Sequence, residues 1–419
     1  MAAQNFGCLK KLTKNHKCVV VSAVGKEHHF DQKTTDLLAA HFCGDDTAWH
    51  KIEQKYKRVV QVNGVNVDVE KLLWDAQRRS KKHNLAYCLS LGEELSAKIA
   101  AAFLNCEYIE AQNCVKFDSS GRLLWRQTKS NLKSAFCGLP LGVIGGFYGG
   151  VMFDDCCRAA SQNAANGKSI DDGAYGKMGS AANAKERNAP NEKSTSAIVK
   201  TNSKNGVLCS GDCSIPKDIS PNSCKGNVFF NCGRAVFSRG GSDVTGAICA
   251  AATNSTLYEN RTDVNGVFTA NPRQVFGAKT IPSLCYAEMF FLAKSGAEVL
   301  HPDAVRFCGR FGIPICVCGF GGCGAATTLV SNCPSGAKFL AVTEKNVDEK
   351  IVTTVLHGMT FAEVSKKIST ALNLVEGFGT KVLQVKIGNV SAEICTDKSI
   401  LNTVFSVFTV KNGVGFAEL

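Results

Sequence analysis

The chain has 419 residues, 45% of them apolar and 20% charged, with a formal net charge of +12. That length supports a large buried core and two or three domains, and the composition excludes disordered, collagen-like and membrane-spanning classes. The positive balance favours anionic partners such as phosphates and nucleotides, whereas the basic run Arg78–Lys82 lacks interleaved aromatics and reads as a solvated helix face, so no nucleic-acid partner is expected.

In chain order, "KCVVVSAV" is a continuous apolar run, the mark of a strand buried on both faces of a parallel sheet. Helical patterns follow at "TTDLLAAHF", "AWHKIEQKYKRVV" and "VDVEKLLWDAQRRSKKH". The segment "SLGEELSAKIAAAFLN" reads as a helix opened by Ser90 and Glu93 at capping-box spacing. "PLGVIGGFYGG" predicts the next buried strand and a glycine loop. Residues 151–225 are rich in Ala, Asn, Ser, Gly and Lys without any period. Such a segment buries too little apolar surface to offset its ordering entropy and is expected to be an inserted, disordered loop.

The alternation resumes with strands at "GNVFFN" and "RAVF", then the turn "SRGGSDVTG". Gly240 and Gly241 let the backbone approach a ligand, and Ser242 and Asp243 are expected at the N-cap of the helix "DVTGAICAAATN". A helix N-terminus beside Arg239 is a ready anion site. Strands at "STLYENRT" and "GVFT" flank a "DVNG" turn, "LCYAEMFFLAKSGAEV" is helical, and "IPICVCGF" is a strand. After Gly336 come strands at "KFLAVTE" and "KIVTTVLHG", a helix at "FAEVSKKISTALNLV", a hairpin of "KVLQVKIG" and "VSAEICT", a short helix "KSILNTVFSVF" and a last strand "VGFAEL". This order predicts an α/β sandwich followed by a small α+β, ferredoxin-like module.

Twenty-one cysteines, odd in number and scattered through apolar strands, suit small hydrophobes in a reduced, cytoplasmic compartment. Cys209, Cys213, Cys224 and Cys232 do not match zinc spacings, adjacent His28 and His29 read as surface histidines, and no metal ligand is assigned. The sequons at Asn254, Asn260 and Asn389 are incidental on this reading. No signal peptide is visible, and glycines and a proline break the uncharged stretch "SAFCGLPLGVIGGFYGGVMF", so no membrane partner is expected. There is no GxxxxGK[ST] P-loop, no Ser/His/Asp order and no HExxH helix.

The motifs "SRGGSDVTGA", "YENRTDVNGVFTANPR" and "CYAEMFFLAKSGAEVLHPDAV", with "VVVSAVGK", "SLGEELSAKI" and "GGFYGG" upstream, together resemble aspartate kinases over most of residues 17–335. The resemblance implies an amino-acid-kinase-like three-layer sandwich with a mainly parallel sheet over 1–335, and a single ACT-like regulatory module over 336–419. It implies transfer of the γ-phosphoryl of ATP, with Mg2+, to the side-chain carboxylate of L-aspartate. The product would be 4-phospho-L-aspartate, in the first step of lysine, threonine and methionine biosynthesis. Carried over by motif, Glu93 meets the substrate ammonium and Arg239 a carboxylate; Ser22, Thr35, Phe147 and Ser242 line the substrate; and Asp243 organises the reacting groups. Thr262, Asp263, Phe268 and Arg273 fall on the nucleotide loop. The ACT module implies lysine or threonine as effector and a homodimer. The chain departs from the family pattern at its start: the strand ending in KFGG, whose lysine neutralises phosphate charge, has no counterpart, since "NFGC" stands in another register. Glu298 and Phe268 also stand where relatives carry lysine and tyrosine. The alternative is therefore a truncated or degenerate, non-catalytic aspartokinase homologue acting as an amino-acid-binding regulatory subunit.

Overall fold

The structure, a computed structural model, describes residues 6–26, 31–152, 233–238, 240–273, 275, 277–320 and 327–332, together with four backbone strands between 340 and 395. The described residues belong to one compact unit formed by 1–152 and 214–419. Most of the insertion expected over 151–225, the four cysteines from Cys209 to Cys232, His28, His29, Arg239, the expected strand "GNVFFN", and the helices and last strand expected after 356 lie outside the described residues.

After a short helix α1 (Leu9–Leu12), the valine run forms β1 (Cys18–Val21). Four helices follow: α2 (Thr34–Phe42), α3 (Asp46–Asn63), α4 (Val69–Ser80) and α5 (Leu85–Leu104). Their ends are chemically marked. Asp45 and Asp68 accept the Thr47 and Lys71 amides at the starts of α3 and α4, and left-handed Gly64 closes α3. The helix α5 begins earlier than the spacing of Ser90 and Glu93 suggests. Asn84 caps it by accepting the Tyr87 N–H at 3.0 Å, while Ser90 donates to the Tyr87 carbonyl at 2.7 Å inside the helix. The apolar residues before Ser90 extend the helix, so no capping box operates there. The buried residues of α5 include Ser90, Glu93, Glu94 and Ser96 as well as its apolar ones.

Beyond α5 lie β2 (Glu107–Ile109), α6 (Ala111–Cys114), β3 (Lys116–Phe117), α7 (Trp125–Ala135), β4 (Gly142–Gly145) and β5 (Tyr148–Val151), then β6 (Arg234–Val236). The first sheet is parallel, in the order β1-β4-β2. Parallel pairing brings the loops that follow β1 and β4 to the same sheet edge, where open α/β sheets bind ligands. The stretch expected as one strand and its loop, "PLGVIGGFYGG", forms two strands in two sheets. After β4 the chain turns through Gly146 and Phe147 into β5, which pairs with β3 in parallel and with β6 antiparallel.

The remaining elements are α8 (Gly241–Ala252), β7 (Tyr258–Thr262), β8 (Val267–Phe268), β9 (Thr280–Ile281), β10 (Ser283–Cys285), α9 (Tyr286–Lys294), α10 (Pro302–Phe311), β11 (Ile315–Gly319) and β12 (Thr328–Ser331). Strands in the order β10-β12-β11-β7 form a mixed sheet whose β7–β11 pair is parallel, and β8 and β9 form a ribbon. One hydrophobic cluster runs from Phe6 to Val330 and joins these elements. Trp125 of α7 packs edge to face with Phe307 and tilted against Phe311 of α10, with ring centroids 5.1 and 4.9 Å away. Finally, β13 (Leu340–Glu344), β14 (Ile351–Leu356), β15 (Gln384–Ile387) and β16 (Ser391–Cys395) make a separate antiparallel sheet, ordered β13-β14-β16-β15, in which β15 and β16 pair as the sequence predicts. None of the described helices is long and apolar enough to cross a membrane.

Candidate functional site

Glu93 lies in the middle of α5, 3% exposed. Its Oε1 accepts the Ala23 N–H at 3.2 Å, and its Oε2 is buried with no hydrogen-bond partner among the described residues. Burial pushes the carboxyl up to about 8, and the Ala23 amide offsets only part of that. A buried acid with one oxygen unanswered is a site prepared for a donor from outside the protein.

Ala23 belongs to the loop after β1, which holds Ser22. That loop is pressed onto α5 at Gly92, where a Cβ would fall 2.9 Å from Ala23 Cβ and 3.2 Å from Thr34 Cγ2. Thr34 donates to the Val24 carbonyl, so the first turn of α2, with half-buried Thr35, closes against the same loop. Tyr56 of α3 pins the base by donating to the Gly92 carbonyl at 2.6 Å. Lys55 holds the far end of the loop, donating to the Gly25 carbonyl at 3.0 Å and pairing with Asp31.

The β4–β5 turn forms the second wall. The Gly146 N–H donates to the Val21 carbonyl at 2.9 Å, and a Cβ on Gly146 would sit 2.7 Å from Ser242 Cα, Cβ and Oγ. Phe147 adopts φ +74°, a left-handed conformation rare for an aromatic residue. Hydrogen bonds on both sides hold it: its N–H donates to Thr245 Oγ1 at 3.1 Å and its carbonyl accepts from the Phe237 N–H at 2.7 Å. Held strain of this kind marks functional turns.

The third wall is the start of α8, and here the expected capping is corrected. The N-cap is Gly240 at φ +82°, with no side-chain cap; Ser242 and Asp243 lie inside the first turn. Asp243 does not serve its own helix because distant donors take its oxygens. Asn260 Nδ2 of β7 donates to Oδ1 and the His301 N–H to Oδ2, each at 3.0 Å. Burial raises the Asp243 carboxyl above its ordinary value while these two donors pull it back. His301 caps α10: its Nδ1 accepts the Asp303 N–H at 3.2 Å, which leaves the proton on Nε2 to donate to Ser238 Oγ at 3.1 Å. Burial lowers the His301 imidazole and keeps that tautomer neutral. A Cβ on Gly240 would lie 3.0 Å from the same ring. Both neighbours of position 239 are thus fixed against His301.

The four residues expected on the nucleotide loop form a second group near the ends of β7 and β8. Thr262 donates to Asp263 at 3.1 Å, Asp263 pairs with Arg273 at 2.9 Å in an exposed bridge, and Phe268 is half-buried on β8. Asn260, two residues before Thr262, joins this group to Asp243. The structure therefore gathers Ser22, Thr35, Glu93, Phe147, Ser242 and Asp243 around one edge of the first sheet.

Beside Glu93, Glu94 faces a different environment. Arg79 reaches it at 2.7 and 3.0 Å, Lys98 at 2.6 Å and Arg234 at 2.8 Å. Burial works against ionisation here, but these cations outweigh it and hold the carboxyl down to about 2. Arg234 is itself buried between the rings of Tyr87 and Tyr148, 4.3 and 4.7 Å from their centroids, and also donates to Ser90 and Gln112. Sequence reasoning missed His301, Asn260 and Arg234. Only His301 carries a local signal, because the following Pro302 marks a helix start.

Residues 153–319 match the amino acid kinase family. The aspartokinase of Rickettsia felis is 35% identical over 129 residues, 31% of this chain and 30% of that protein. The chain's match thus spans about a third of that curated relative's length. Among solved structures, the Clostridium acetobutylicum aspartate kinase aligns with a TM-score of 0.57 at 24% identity, covering 96% of this chain and 76% of that one. Escherichia coli aspartokinase III bound to aspartate and ADP aligns with a TM-score of 0.55 at 17% identity, covering 95% and 76%. The same E. coli protein bound to lysine and aspartate gives 0.53 at 17% identity, covering 95% and 79%. These likenesses show the fold.

Proposed function

We propose that this chain, which has the amino-acid-kinase fold and is related in sequence to the aspartokinases, transfers the γ-phosphoryl of MgATP to the side-chain carboxylate of L-aspartate. The observation that carries the reading is Glu93: a buried carboxyl with one oxygen unpartnered, at the edge where the loops after β1 and β4 meet the start of α8. An arriving α-ammonium would convert it to a paired carboxylate, with the proton released to solvent.

Acyl phosphate formation needs two anions brought in line, so it depends on positioning and charge neutralisation. Ser22, Thr35, Phe147 and Ser242 line the substrate in this reading, and the guanidinium of Arg239, in the turn that His301 braces, pairs with a carboxylate. Asp243, held by two donors, keeps that turn and β7 in register. Thr262, Asp263, Phe268 and Arg273 receive the nucleotide, for which Arg273 must exchange Asp263 for phosphate. Mg2+ would arrive on the phosphates, whose charge it neutralises. The sheet from β13 to β16 is the core of a single ACT-like module over 336–419. It would bind lysine or threonine and complete its site in a homodimer.

Trapping with hydroxylamine tests this directly. The 419-residue chain with L-aspartate and MgATP is expected to yield aspartyl hydroxamate, and Arg239→Ala to abolish it. Absence of product from a chain that still binds aspartate by calorimetry would overturn the catalytic reading in favour of an amino-acid-binding subunit.

A further inference from the structure

Cys316 and Cys318 stand two apart on β11, so their side chains share one face of the strand. Parallel pairing sets Cys316 opposite Glu259 and Cys318 opposite Arg261 on β7, which gathers all four side chains on that face. Glu259 binds Arg261 at 2.7 Å and His16 Nε2 at 3.3 Å, while Arg261 Nη1 donates to the Gly319 carbonyl at 3.0 Å. The guanidinium is thereby fixed beside the two sulfurs. Cys318 is buried, its thiol within 3.8 Å of the Asn260 carbonyl and 3.9 Å of the Cys316 carbonyl. Cys316 is the more exposed of the pair.

We propose that Cys316 and Cys318 form a peroxide-sensitive thiol pair, with Cys316 the attacking sulfur and Cys318 the resolving one. The adjacent Cys318 thiol, aided by Arg261 and opposed by burial and Glu259, holds the Cys316 thiol down to about 7. Burial pushes other thiols up instead, Cys88 and Cys308 to about 12 and Cys114 to about 11. A thiolate with a cation and a second thiol in reach is the arrangement of a redox-responsive cysteine.

The chemistry closes with a hydroperoxide as oxidant. The Cys316 thiolate attacks one peroxide oxygen, the O–O bond breaks, and the leaving alkoxide or hydroxide takes a proton, leaving a sulfenic acid. Cys318 then attacks that sulfur and expels hydroxide, which combines with the Cys318 proton as water. Two thiols and one hydroperoxide become one disulfide, one alcohol (water, from hydrogen peroxide) and one water. Cα atoms two apart on a strand are separated by about 6.6 Å, near the upper end of the range a disulfide spans. Closure therefore bends β11 and withdraws the Cys318 thiol from the Asn260 carbonyl, next to the side chain that holds Asp243.

Two measurements on the reduced full chain test the pair. Iodoacetamide labelling followed by peptide mass spectrometry across pH 6 to 9.5 is expected to give half-maximal alkylation of Cys316 near pH 7. That is about 1.5 pH units below an ordinary free cysteine. Hydrogen peroxide is expected to remove two hydrogens from the peptide holding both residues, and Cys318→Ala to accumulate a dimedone-trapped sulfenic acid at Cys316 instead. Half-maximal labelling at or above pH 8.5, a peptide that peroxide leaves reduced, or a disulfide from Cys316 to Cys323 or Cys333 would overturn the assignment.

Discussion

Glu93 and Glu94 are consecutive residues of one helix, both buried, and their carboxyls sit about six pH units apart, near 8 and near 2. One helical step rotates the side chain by about 100°. That single step takes the first into an apolar pocket with one amide donor and the second among Arg79, Lys98 and Arg234. The helix thus presents a neutral acid to the site and an ionised one to the scaffold.

For Glu93 the raised value means that the folded state holds a proton the unfolded chain has lost. Stability from this group is present below about pH 4.5 and is lost as pH rises towards 8, by on the order of 4 kcal/mol. Glu93→Gln is expected to raise Tm at pH 8.5, to flatten stability between pH 5 and 8.5, and to raise KM for aspartate at least a hundredfold. Thermal unfolding against pH and initial rates check the two effects separately.

Glu94 behaves in the opposite sense. Its depressed value contributes stability that is present above about pH 4.5 and is lost as pH falls towards 2. Glu94→Gln leaves Arg234 buried with less compensation and should cost about 3 kcal/mol or more. Urea unfolding at pH 7 and pH 3 is expected to show a large difference between variant and parent at pH 7 and a reduced but still measurable one at pH 3.

Gly146 has no room for a side chain. Its neighbour is the backbone of Ser242, 2.7 Å from a hypothetical Cβ, so Gly146→Ala must displace the start of α8. The expected outcome is a hundredfold or greater loss in kcat/KM with a Tm lowered by only several degrees, because the rest of the core is untouched. Equal losses in the far-UV signal and activity would show that the variant had unfolded instead.

His301 joins three segments through three atoms: backbone N–H to Asp243, Nδ1 to Asp303 and Nε2 to Ser238. Asparagine can replace the helix cap but cannot reach Ser238. His301→Asn should keep Tm within about two degrees while raising KM for aspartate about tenfold, through a loosened turn around position 239. His301→Ala loses the cap as well and should unfold a few degrees lower still.

Much of the scaffold is legible in the sequence because its signals are local. The valine run of β1 and the paired strands β15 and β16 announce themselves within a few residues, whereas the Asp45 and Asp68 caps show only in the structure. The start of α5 does not announce itself either. Ser90 and Glu93 mimic a helix beginning, while the true cap at Asn84 precedes a helix buried almost all round, which leaves no polar stripe to phase it. The site is legible in its residue types and hidden in its partnerships. Asp243 looks like a cap until Asn260 and His301, seventeen and fifty-eight positions away, take its oxygens. Asn260 also lies in an N-x-S/T sequon, yet its side chain is buried on Asp243, in keeping with the incidental reading of that motif.

The pairing of β5 with β6 has one more consequence. The Val151 N–H donates to the Gly233 carbonyl at 2.7 Å, and Arg234, next in line, is clamped between two tyrosine rings. The chain therefore leaves this sheet at Val151 and rejoins it at Gly233 with the two ends one hydrogen bond apart. A short glycine-serine hairpin joining Met152 to Gly233 is geometrically able to close the chain there and is expected to preserve the pairing of β5 with β6, which thermal unfolding would check. The same closely held pair of ends is a junction at which a reporter domain could be spliced into the chain, because Val151 and Gly233 already stand at hydrogen-bond distance.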